Sequence, residues 1–379
     1  MPDSYSEGKT SVLHTGAFLN AQARLSRDVS IALAKALAPK KASVLDATAA
    51  TGIRGIRYCK EAGAAKATLL EINATAFKDL RRNVRANRTK GASMRALNTS
   101  VQEFANTVHE RFDVVDLDPF GSAAPYLYDL MKVVKDGTLL SVTATDTALL
   151  CGAHQRACLR VYDAWPMHNV LSHETGLRIL IGYVARTAAQ FDFGIEVKLA
   201  FTYLHYMRAI VVVKHGARAV DSALHEMGYA MYCAKCCNAF HAKGALPQLR
   251  KCGFCGAEAE ASGRLWLGNL YSDDARKALA TYFRGSDAPP EEKKFADALA
   301  NELDTPMYYS IPKLTKSIGA PSASPVAVME ALRKMGYKAS GTHLEKSCMK
   351  TDAPIGAIRQ AVAAVLGLQT KNVKTTPIK

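Results

Sequence analysis

Short apolar runs alternate with amphipathic segments between residues 43 and 144, and this alternation constrains the fold more than any other feature. Ser43–Asp46, Ala67–Glu71 and Phe112–Asp118 have the length and apolar content of buried strands. Segments with helical spacing lie between them, over residues 53–62, 74–87 and 123–134 and from residue 101. Strand and helix in alternation predict an α/β fold with a parallel, doubly wound sheet of the Rossmann-like type.

Further segments with strand or helix patterns lie before, within and after this alternation. An amphipathic helix is predicted over residues 20–38 and is ended by Pro39. A weaker strand near 94–99 and a strand over 138–144 continue the pattern. Strand-like runs at 194–201 and 207–214 would complete the sheet.

Three acidic residues, Asp46, Glu71 and Asp118, fall at the carboxyl ends of predicted strands, where open α/β sheets bind ligands. The loop after Asp46 has only two glycines, Gly52 and Gly55. A dinucleotide site uses three, so that backbone can meet a pyrophosphate. Small residues in such a turn also serve packing alone, so the loop is informative only together with the acids.

Loop and acids together favour S-adenosyl-L-methionine, a ligand without pyrophosphate. Glu71 follows Asp46 by 25 residues, at the next strand end, where its carboxylate is placed to accept hydrogen bonds from both ribose hydroxyls. Asp46 or the adjacent backbone would face the methionine ammonium.

The segment Asp116–Gly121 (DLDPFG) carries the chemistry that such a cofactor needs. An exocyclic amine of a nucleic-acid base is a weak nucleophile, because its lone pair is delocalised into the ring. Asp118 and a carbonyl aimed by Pro119 supply two acceptors for that amine, and Phe120 offers a face to an extracted base. The dipeptide Asp-Pro is also common in turns that have no catalytic role. Its position at the end of a strand of a sheet suited to a cofactor favours a role in methyl transfer. Asp116 is either a supporting acceptor or only a strand-end charge.

Positive charge is concentrated in two places. The chain has a net charge of +15, and residues 312–379 contain 11 basic and 3 acidic residues. A second cluster consists of Lys78, Arg81, Arg82, Arg85, Arg88, Lys90 and Arg95. A solvated surface is the simpler reading of either cluster, but two of them in a basic protein favour a nucleic-acid partner.

Membrane insertion and secretion are not expected. No run reaches the roughly 18 apolar residues of a membrane span. The first residues lack the basic-then-apolar layout of a secretion signal. We therefore expect a cytoplasmic protein, and the sequence indicates no obligate protein partner.

Four of the nine cysteines form two tight pairs, Cys233 with Cys236 and Cys252 with Cys255, separated by fifteen residues. This spacing is typical of a closed, structural zinc site. Cys237 and His241 are alternatives for one ligand position, and a reduced set without metal is the alternative to zinc.

Several motifs resemble the tRNA (guanine(26)-N2)-dimethyltransferase family, in its archaeal-type form, and they occur in order over most of the chain. They are Glu7-Gly8, Asn20, Leu25–Asp28 (LSRD), Thr51–Arg57 (TGIRGIR), Asp116–Ser122 (DLDPFGS), Val142–Ala148 (VTATDTA) and His173–Leu180 (HETGLRIL).

This resemblance implies two successive methylations of the N2 amine of guanosine 26 in tRNA. It implies that Arg27 and Arg54 help to hold the cofactor, with Glu71 on the ribose, and that Asp118 accepts the proton. It also makes Phe18 a base-stacking partner. The family's adenine-binding Asp-Ala pair aligns with Ser100-Val101, so the contact to the adenine amine differs here or shifts to Gln102 or Glu103.

We therefore predict three units. Residues 1–231 form a Rossmann-like methyltransferase domain with an N-terminal helical extension, and residues 232–265 form a zinc-ribbon-like module. Residues 266–379 form a basic, smaller α+β domain that binds tRNA and is winged-helix-like in its second half. The competing readings are a DNA adenine or cytosine amino-methyltransferase and a non-catalytic, zinc-containing nucleic-acid-binding protein.

Overall fold

The structure is a computed structural model that describes residues 4–244 and 251–368. Its N-terminal part is an antiparallel hairpin, β1 (Ser4–Glu7) and β2 (Thr10–Leu13), followed by a short 3-10 helix and by α1 (Arg24–Leu37). The predicted helix over 20–38 is thus present, and it stops before Pro39 because proline cannot continue a helix.

Strands and helices then alternate as the sequence predicts. In chain order they are β3 (Ser43–Asp46), α2 (Ile53–Glu61), β4 (Lys66–Leu70), α3 (Ala74–Ala86), β5 (Ser93–Leu97), α4 (Val101–Thr107), β6 (Phe112–Leu117), α5 (Ala124–Leu130), β7 (Val134–Ala144), α6 (Thr147–Leu150), α7 (Gln155–Tyr162), α8 (Ser172–Ala189), β8 (Phe193–Tyr203), β9 (Tyr206–His215) and α9 (Ala217–His225).

Seven of these strands form one sheet in the order β5-β4-β3-β6-β7-β9-β8. The first five are parallel, whereas β9 pairs antiparallel with both β7 and β8. The expectation of a wholly parallel sheet is therefore wrong at this end. Only two residues join β8 to β9, and so short a connection makes an antiparallel hairpin, since a parallel pair needs a long crossover.

The cysteine pairs lie next to a second, smaller sheet. It is antiparallel, has the order β11-β10-β12, and consists of β10 (Met227–Tyr232), β11 (Ala239–Lys243) and β12 (Glu260–Trp266). Its β12 strand packs against α8, a long and mostly buried helix of the main domain.

The remaining chain forms helices around a three-stranded sheet of order β13-β15-β14. Its elements are α10 (Asp273–Gly285), α11 (Pro290–Asn301), β13 (Tyr309–Ser310), α12 (Ile311–Ser317), α13 (Pro325–Lys334), β14 (Ala339–Gly341), β15 (Cys348–Thr351) and α14 (Ile355–Val365). Residues 369–379 of the basic C-terminal segment lie outside the described residues. Over residues 4–244 and 251–368, no helix combines the length and apolarity needed to cross a bilayer.

A buried chain of charges connects α8 to this C-terminal part. The Nζ atom of Lys350 lies 3.3 Å from a carboxylate oxygen of Glu174 on α8 and 3.3 Å from one of Glu302. Glu174 also pairs with Arg178 and accepts a hydrogen bond from the Met307 amide at 2.8 Å. Glu174, which belongs to the HETGLRIL motif, therefore has a structural role in holding the two parts together.

Acid is expected to weaken this connection through Glu302. Burial acts to raise the pKa of Glu302, but His343 and Lys350 outweigh it and lower the pKa to about 2. A lowered folded-state pKa contributes stability above the unfolded value, near 4.5, and that stability is lost as the pH falls towards 2. The pH-dependent part amounts to roughly 3 kcal/mol.

Unfolding of wild type and Glu302→Gln from pH 7 to pH 2 tests this expectation. The difference in unfolding free energy should shrink between pH 4.5 and pH 2. Protonation of Glu302 removes from wild type the same charge interactions that the substitution removes from the variant. Glu291→Gln, on the exposed side of α11, is the control and should follow wild type. A constant difference between wild type and Glu302→Gln would contradict the assignment.

Candidate active site

A cleft of about 510 Å³ opens at the carboxyl ends of β3, β4 and β6. All the candidates for cofactor binding, base stacking and catalysis line it: Phe18, Arg27, Asp46, Arg54, Glu71, Ser100, Val101, Asp118, Pro119 and Phe120. The topology explains this convergence, because strands of one direction present their loops at one edge of the sheet.

Packing, rather than a pyrophosphate, accounts for the glycines in the loop between β3 and α2. Gly52 has φ +83°, and a Cβ there would lie 2.5 Å from a Leu80 methyl of α3. A Cβ on Gly55 would lie 2.6 Å from Leu69 of β4. The two glycines thus let α2 start close against its neighbours, which leaves the loop backbone along the cleft.

The two acids beside this loop differ in exposure. Asp46 is almost fully buried and accepts a hydrogen bond from the Gly55 amide at 2.9 Å, and burial raises its pKa to about 7. Glu71 is half-buried and accepts hydrogen bonds from the Ala50 amide at 3.0 Å and the Asn73 amide at 2.7 Å. Glu71 thereby fixes the loop and still borders the cleft.

Ser100 lies at the N-cap of α4, where its hydroxyl accepts a hydrogen bond from the Glu103 amide at 3.0 Å. Ser100, Val101 and Gln102 line the cleft. The Glu103 carboxylate instead accepts a hydrogen bond from Thr99 at 2.7 Å. Of the two substitutes considered for the adenine contact, Gln102 is the one at the cleft.

Asp118 follows directly on β6, and its amide donates to the Thr48 hydroxyl at 3.0 Å. The Asp118 carboxylate pairs with the buried guanidinium of Arg54. Arg54 is fixed in turn by the hydroxyls of Ser26 and Ser30 on α1, at 3.3 and 3.2 Å. The partly exposed Asp118 carboxylate is thus oriented by Arg54, which is itself held in place by α1.

Asp116 lies beneath this pair and is fully buried, so it does not face the cleft. It accepts hydrogen bonds at 2.6 Å from the Tyr58 hydroxyl and from Arg208, and lies 3.5 Å from Arg54. Burial acts to raise the pKa of Asp116, but Arg208 and Arg54 lower it further than burial raises it. Asp116 therefore anchors the arginine that orients Asp118.

Phe18 and Phe120 form an exposed aromatic pair at the mouth of the cleft. Their ring centroids lie 4.8 Å apart in an edge-to-face arrangement, and the residues are 57% and 75% exposed. Large apolar side chains that remain this exposed beside a cleft mark a contact surface for a ligand.

The segment that carries Phe18 is fastened to α3, which sequence reasoning missed. The Asp79 carboxylate accepts hydrogen bonds from the Thr15 hydroxyl and the Gly16 and Ala17 amides, at 2.7, 2.6 and 3.1 Å. Asp79, an acid among the basic residues of α3, thus orders the chain next to the candidate stacking residue.

The four paired cysteines converge as predicted. Their sulfur atoms all lie within 4.8 Å of one another. Cys237 and His241 do not belong to this group, and the backbone explains why for Cys237. Its amide donates to Cys233 and its φ is +62°, which repeats the turn in which the Gly256 amide donates to Cys252 with φ +71°. Cys237 therefore fills a turn position that glycine occupies in the other pair.

Comparison with known proteins gives a consistent result over nearly the whole chain. A family model described as N2,N2-dimethylguanosine tRNA methyltransferase matches residues 4–363. The tRNA (guanine(26)-N(2))-dimethyltransferase of Thermococcus kodakarensis is 36% identical over 364 residues, covering 92% of this chain and 93% of its own. That of Pyrococcus furiosus is also 36% identical and covers 92% and 95%.

Among solved structures, Trm1 from Pyrococcus horikoshii in complex with S-adenosyl-L-methionine matches with a TM-score of 0.88 at 33% sequence identity. The match covers 95% of this chain and 99% of the other. A family model that spans residues 4–363, together with relatives of this identity and coverage, is decisive. The chain belongs to the N2,N2-dimethylguanosine tRNA methyltransferase family.

Proposed function

We propose that this protein transfers methyl groups from S-adenosyl-L-methionine to the N2 amine of guanosine 26 in tRNA, giving N2-methyl- and N2,N2-dimethylguanosine. The observation that carries the proposal is Asp118, held by Arg54 at the strand edge of a cleft whose mouth is formed by Phe18 and Phe120. Family membership supplies the substrate, since the relatives are named for this base and this position.

The residues of the cleft fit the cofactor. Glu71 would accept hydrogen bonds from the ribose hydroxyls, and the buried Asp46 with its adjacent backbone would face the cationic methionine end. Ser100, Val101 and Gln102 line the cleft and would border the adenine. Arg27 borders the cleft while its guanidinium is bound to Glu7 and to the Asn20 carbonyl, so it shapes this wall rather than offering a free charge.

When bound, the cofactor supplies an electrophilic methyl group on a sulfonium sulfur. Asp118 and the Pro119 carbonyl hold the two amine hydrogens of guanine, while Phe18 and Phe120 hold the ring. As the N2–C bond forms and the S–C bond breaks, the proton leaving N2 passes to the Asp118 carboxylate. Asp118 then releases this proton to solvent, and the second methylation follows the same course with the one remaining amine proton.

We also propose zinc at the four cysteines. Four thiolates around a tetrahedral ion at Zn–S distances near 2.3 Å place the sulfurs about 3.8 Å apart. The sulfurs of Cys233 and Cys255 lie 3.4 Å apart, and those of Cys236 and Cys252 lie 3.6 Å apart, which is close to that requirement. Residues 232–265 then form a zinc-ribbon-like module, after residues 1–231, with residues 266–379 as the tRNA-binding, winged-helix-like part.

The exposed face of α3 is the second surface proposed to contact tRNA. Lys78, Arg81, Arg82 and Arg85 are all exposed on this helix, and Arg88 follows it. Among the described residues none of these five forms an ion pair. The helix starts three residues after Glu71, so the charges lead away from the cleft, as the phosphates of a bound RNA would.

Reversing charge on this face is expected to weaken tRNA binding. Arg81→Glu with Arg85→Glu should raise the Kd for tRNA on the order of 10- to 100-fold near 0.1 M salt, and should lower the salt dependence of log Kd by about 2. Filter binding across salt concentrations measures both. Arg218→Glu with Lys35→Glu, on exposed positions of α9 and α1 outside both proposed tRNA surfaces, matches the charge change and should have little effect. If both double variants raised the Kd for tRNA equally, the exposed face of α3 would not be the contact surface.

Mass spectrometry of nucleosides tests the proposed activity. Unmodified tRNA transcript incubated with protein and cofactor should yield N2-methyl- and N2,N2-dimethylguanosine, and a transcript with guanosine 26 replaced by adenosine should yield neither. Methylation of duplex DNA alone would instead establish an adenine or cytosine amino-methyltransferase. Binding of tRNA without any methylation would establish a non-catalytic binder.

A further inference from the structure

Tyr206, a residue that lines the cleft, has a buried hydroxyl without a hydrogen-bond partner among the described residues. Tyr206 begins β9, is 7% exposed and lines the cleft. Its hydroxyl oxygen is buried and has no hydrogen-bond partner within residues 4–244 and 251–368. A buried hydroxyl left unpaired is costly to the folded state, so a partner from a ligand would be favourable.

The order of strands places Tyr206 on the side of the cleft opposite the proposed cofactor. Along the sheet edge, Glu71 follows β4, Asp46 ends β3 and Asp118 follows β6. Beyond Asp118 come β7 and then β9, with Met207 paired to Ala144 at the end of β7. Tyr206 therefore belongs to the half in which a target base, rather than the cofactor, would reach Asp118.

The other hydroxyls in this half are already engaged. Thr143 accepts a hydrogen bond from Arg208, and Thr145 accepts one from the Gly121 amide at 2.7 Å. Of the three hydroxyl side chains that β7, β9 and the residues just after β7 bring to the cleft, Tyr206 alone has its hydrogen-bonding capacity unused within the described residues.

The Tyr206 ring is held in a fixed orientation. It packs edge-to-face against Phe201 and Tyr203, with centroids 6.1 and 6.0 Å away. Burial raises the pKa of Tyr206, and although Arg208 lowers it, the nearby Asp118 raises it further. The hydroxyl is therefore protonated at neutral pH and is available as a donor.

We propose that the Tyr206 hydroxyl donates a hydrogen bond to the target guanine and so fixes the base in the plane in which its amine meets Asp118. This inference rests on the proposed function. Guanine carries acceptors on both sides of its amino-bearing carbon, N3 directly and O6 beyond N1. Stacking on Phe18 and Phe120 leaves the guanine ring free to rotate within its own plane. A hydrogen bond from Tyr206, whose ring is fixed by two aromatic neighbours, would stop this rotation.

Tyr206→Phe tests the proposal, because it removes one oxygen atom and keeps the ring. The kcat/KM for tRNA methylation should fall about 10- to 100-fold, as expected when a ligand loses a buried hydrogen bond. The Kd for S-adenosyl-L-methionine, measured by calorimetry, should stay within twofold. The Tm of the free protein should be equal or higher, since an unpaired buried oxygen is gone.

Tyr128→Phe is the matched control, because Tyr128 lies on α5, packs against Phe191 and does not line the cleft. It should leave kcat/KM unchanged. An unchanged kcat/KM in Tyr206→Phe, or a weakened Kd for the cofactor that accounts for the loss, overturns the inference. Both results require wild-type protein that methylates tRNA. If wild type does not, the proposed function fails, and this outcome is distinct from failure of the Tyr206 contact alone.

Discussion

Asp118→Asn is expected to lower kcat for guanosine methylation by about 10²- to 10⁴-fold, the usual contribution of a general base. Asparagine keeps the size of the side chain and one acceptor oxygen, but its amide does not take up the amine proton. Arg54 retains Ser26, Ser30 and Asp116 as partners, so the site should stay folded. Single-turnover assays with labelled cofactor measure the loss directly.

Binding measurements separate this chemical defect from a structural one. The Kd values for tRNA and for S-adenosyl-L-methionine should change little in Asp118→Asn, whereas Asp118→Ala should also lose methylation and keep tRNA affinity. Asp221→Asn, exposed on α9, makes the same change of charge away from the cleft and should methylate like wild type. A kcat within tenfold of wild type in Asp118→Asn would mean that another group accepts the proton.

The position of Asp118 could be predicted because it depends on a local rule. A short apolar run predicts a buried strand, and the residue after the strand lies at the ligand edge of the sheet. Asp46 and Glu71 follow the same rule, and all three acids line one cleft. The CxxC pairs behaved likewise, since their spacing within the chain already limits how far apart the sulfurs can be.

The interactions that orient Asp118 could not be predicted, because they join residues far apart in sequence. Arg208 approaches Asp116 only because β9 folds back beside β7, a reversal that the apolar runs at 194–201 and 207–214 do not reveal. A sign was present: Arg208 is the one charge in the run Tyr206–Val213. A buried charge in an apolar strand requires a partner, but the sequence does not say which one.

Asp79 illustrates a second limit. In sequence it is an acid within a basic helix, whereas in the structure it faces inward and binds the segment before Phe18. Helical spacing assigns Asp79 to the buried side of α3 and Arg81, Arg82 and Arg85 to the exposed side. One helix, α3, therefore contributes both the proposed RNA surface and the support of the stacking residue Phe18. A bound RNA backbone and the base stacked on Phe18 would thus both be positioned by α3.

The second large effect is expected from the cysteines. Structural zinc contributes roughly 10–16 kcal/mol to the folding of small zinc domains, so the loss of one thiolate should unfold the region around β10–β12. This region does not stand alone. The Tyr309 hydroxyl donates to the Ala239 carbonyl at 3.2 Å, and Arg359 donates to the Cys236 carbonyl at 3.4 Å. Cys252→Ser should therefore also loosen the C-terminal part.

Zinc content and melting distinguish a bound metal from a reduced, metal-free set of thiols. Wild type should contain one equivalent of zinc by mass spectrometry, and Cys252→Ser should contain little and melt at least 10 °C lower, in line with the size of a lost structural metal. Cys237→Ser is a close control, because Cys237 lies in the same turn but outside the sulfur cluster, and it should keep both zinc and Tm. If wild type prepared with zinc contains none, and Cys252→Ser has the same Tm as wild type, the four sulfurs pack as thiols without a metal. The connection to the C-terminal part would then depend on hydrogen bonds and buried charges such as Lys350 with Glu174.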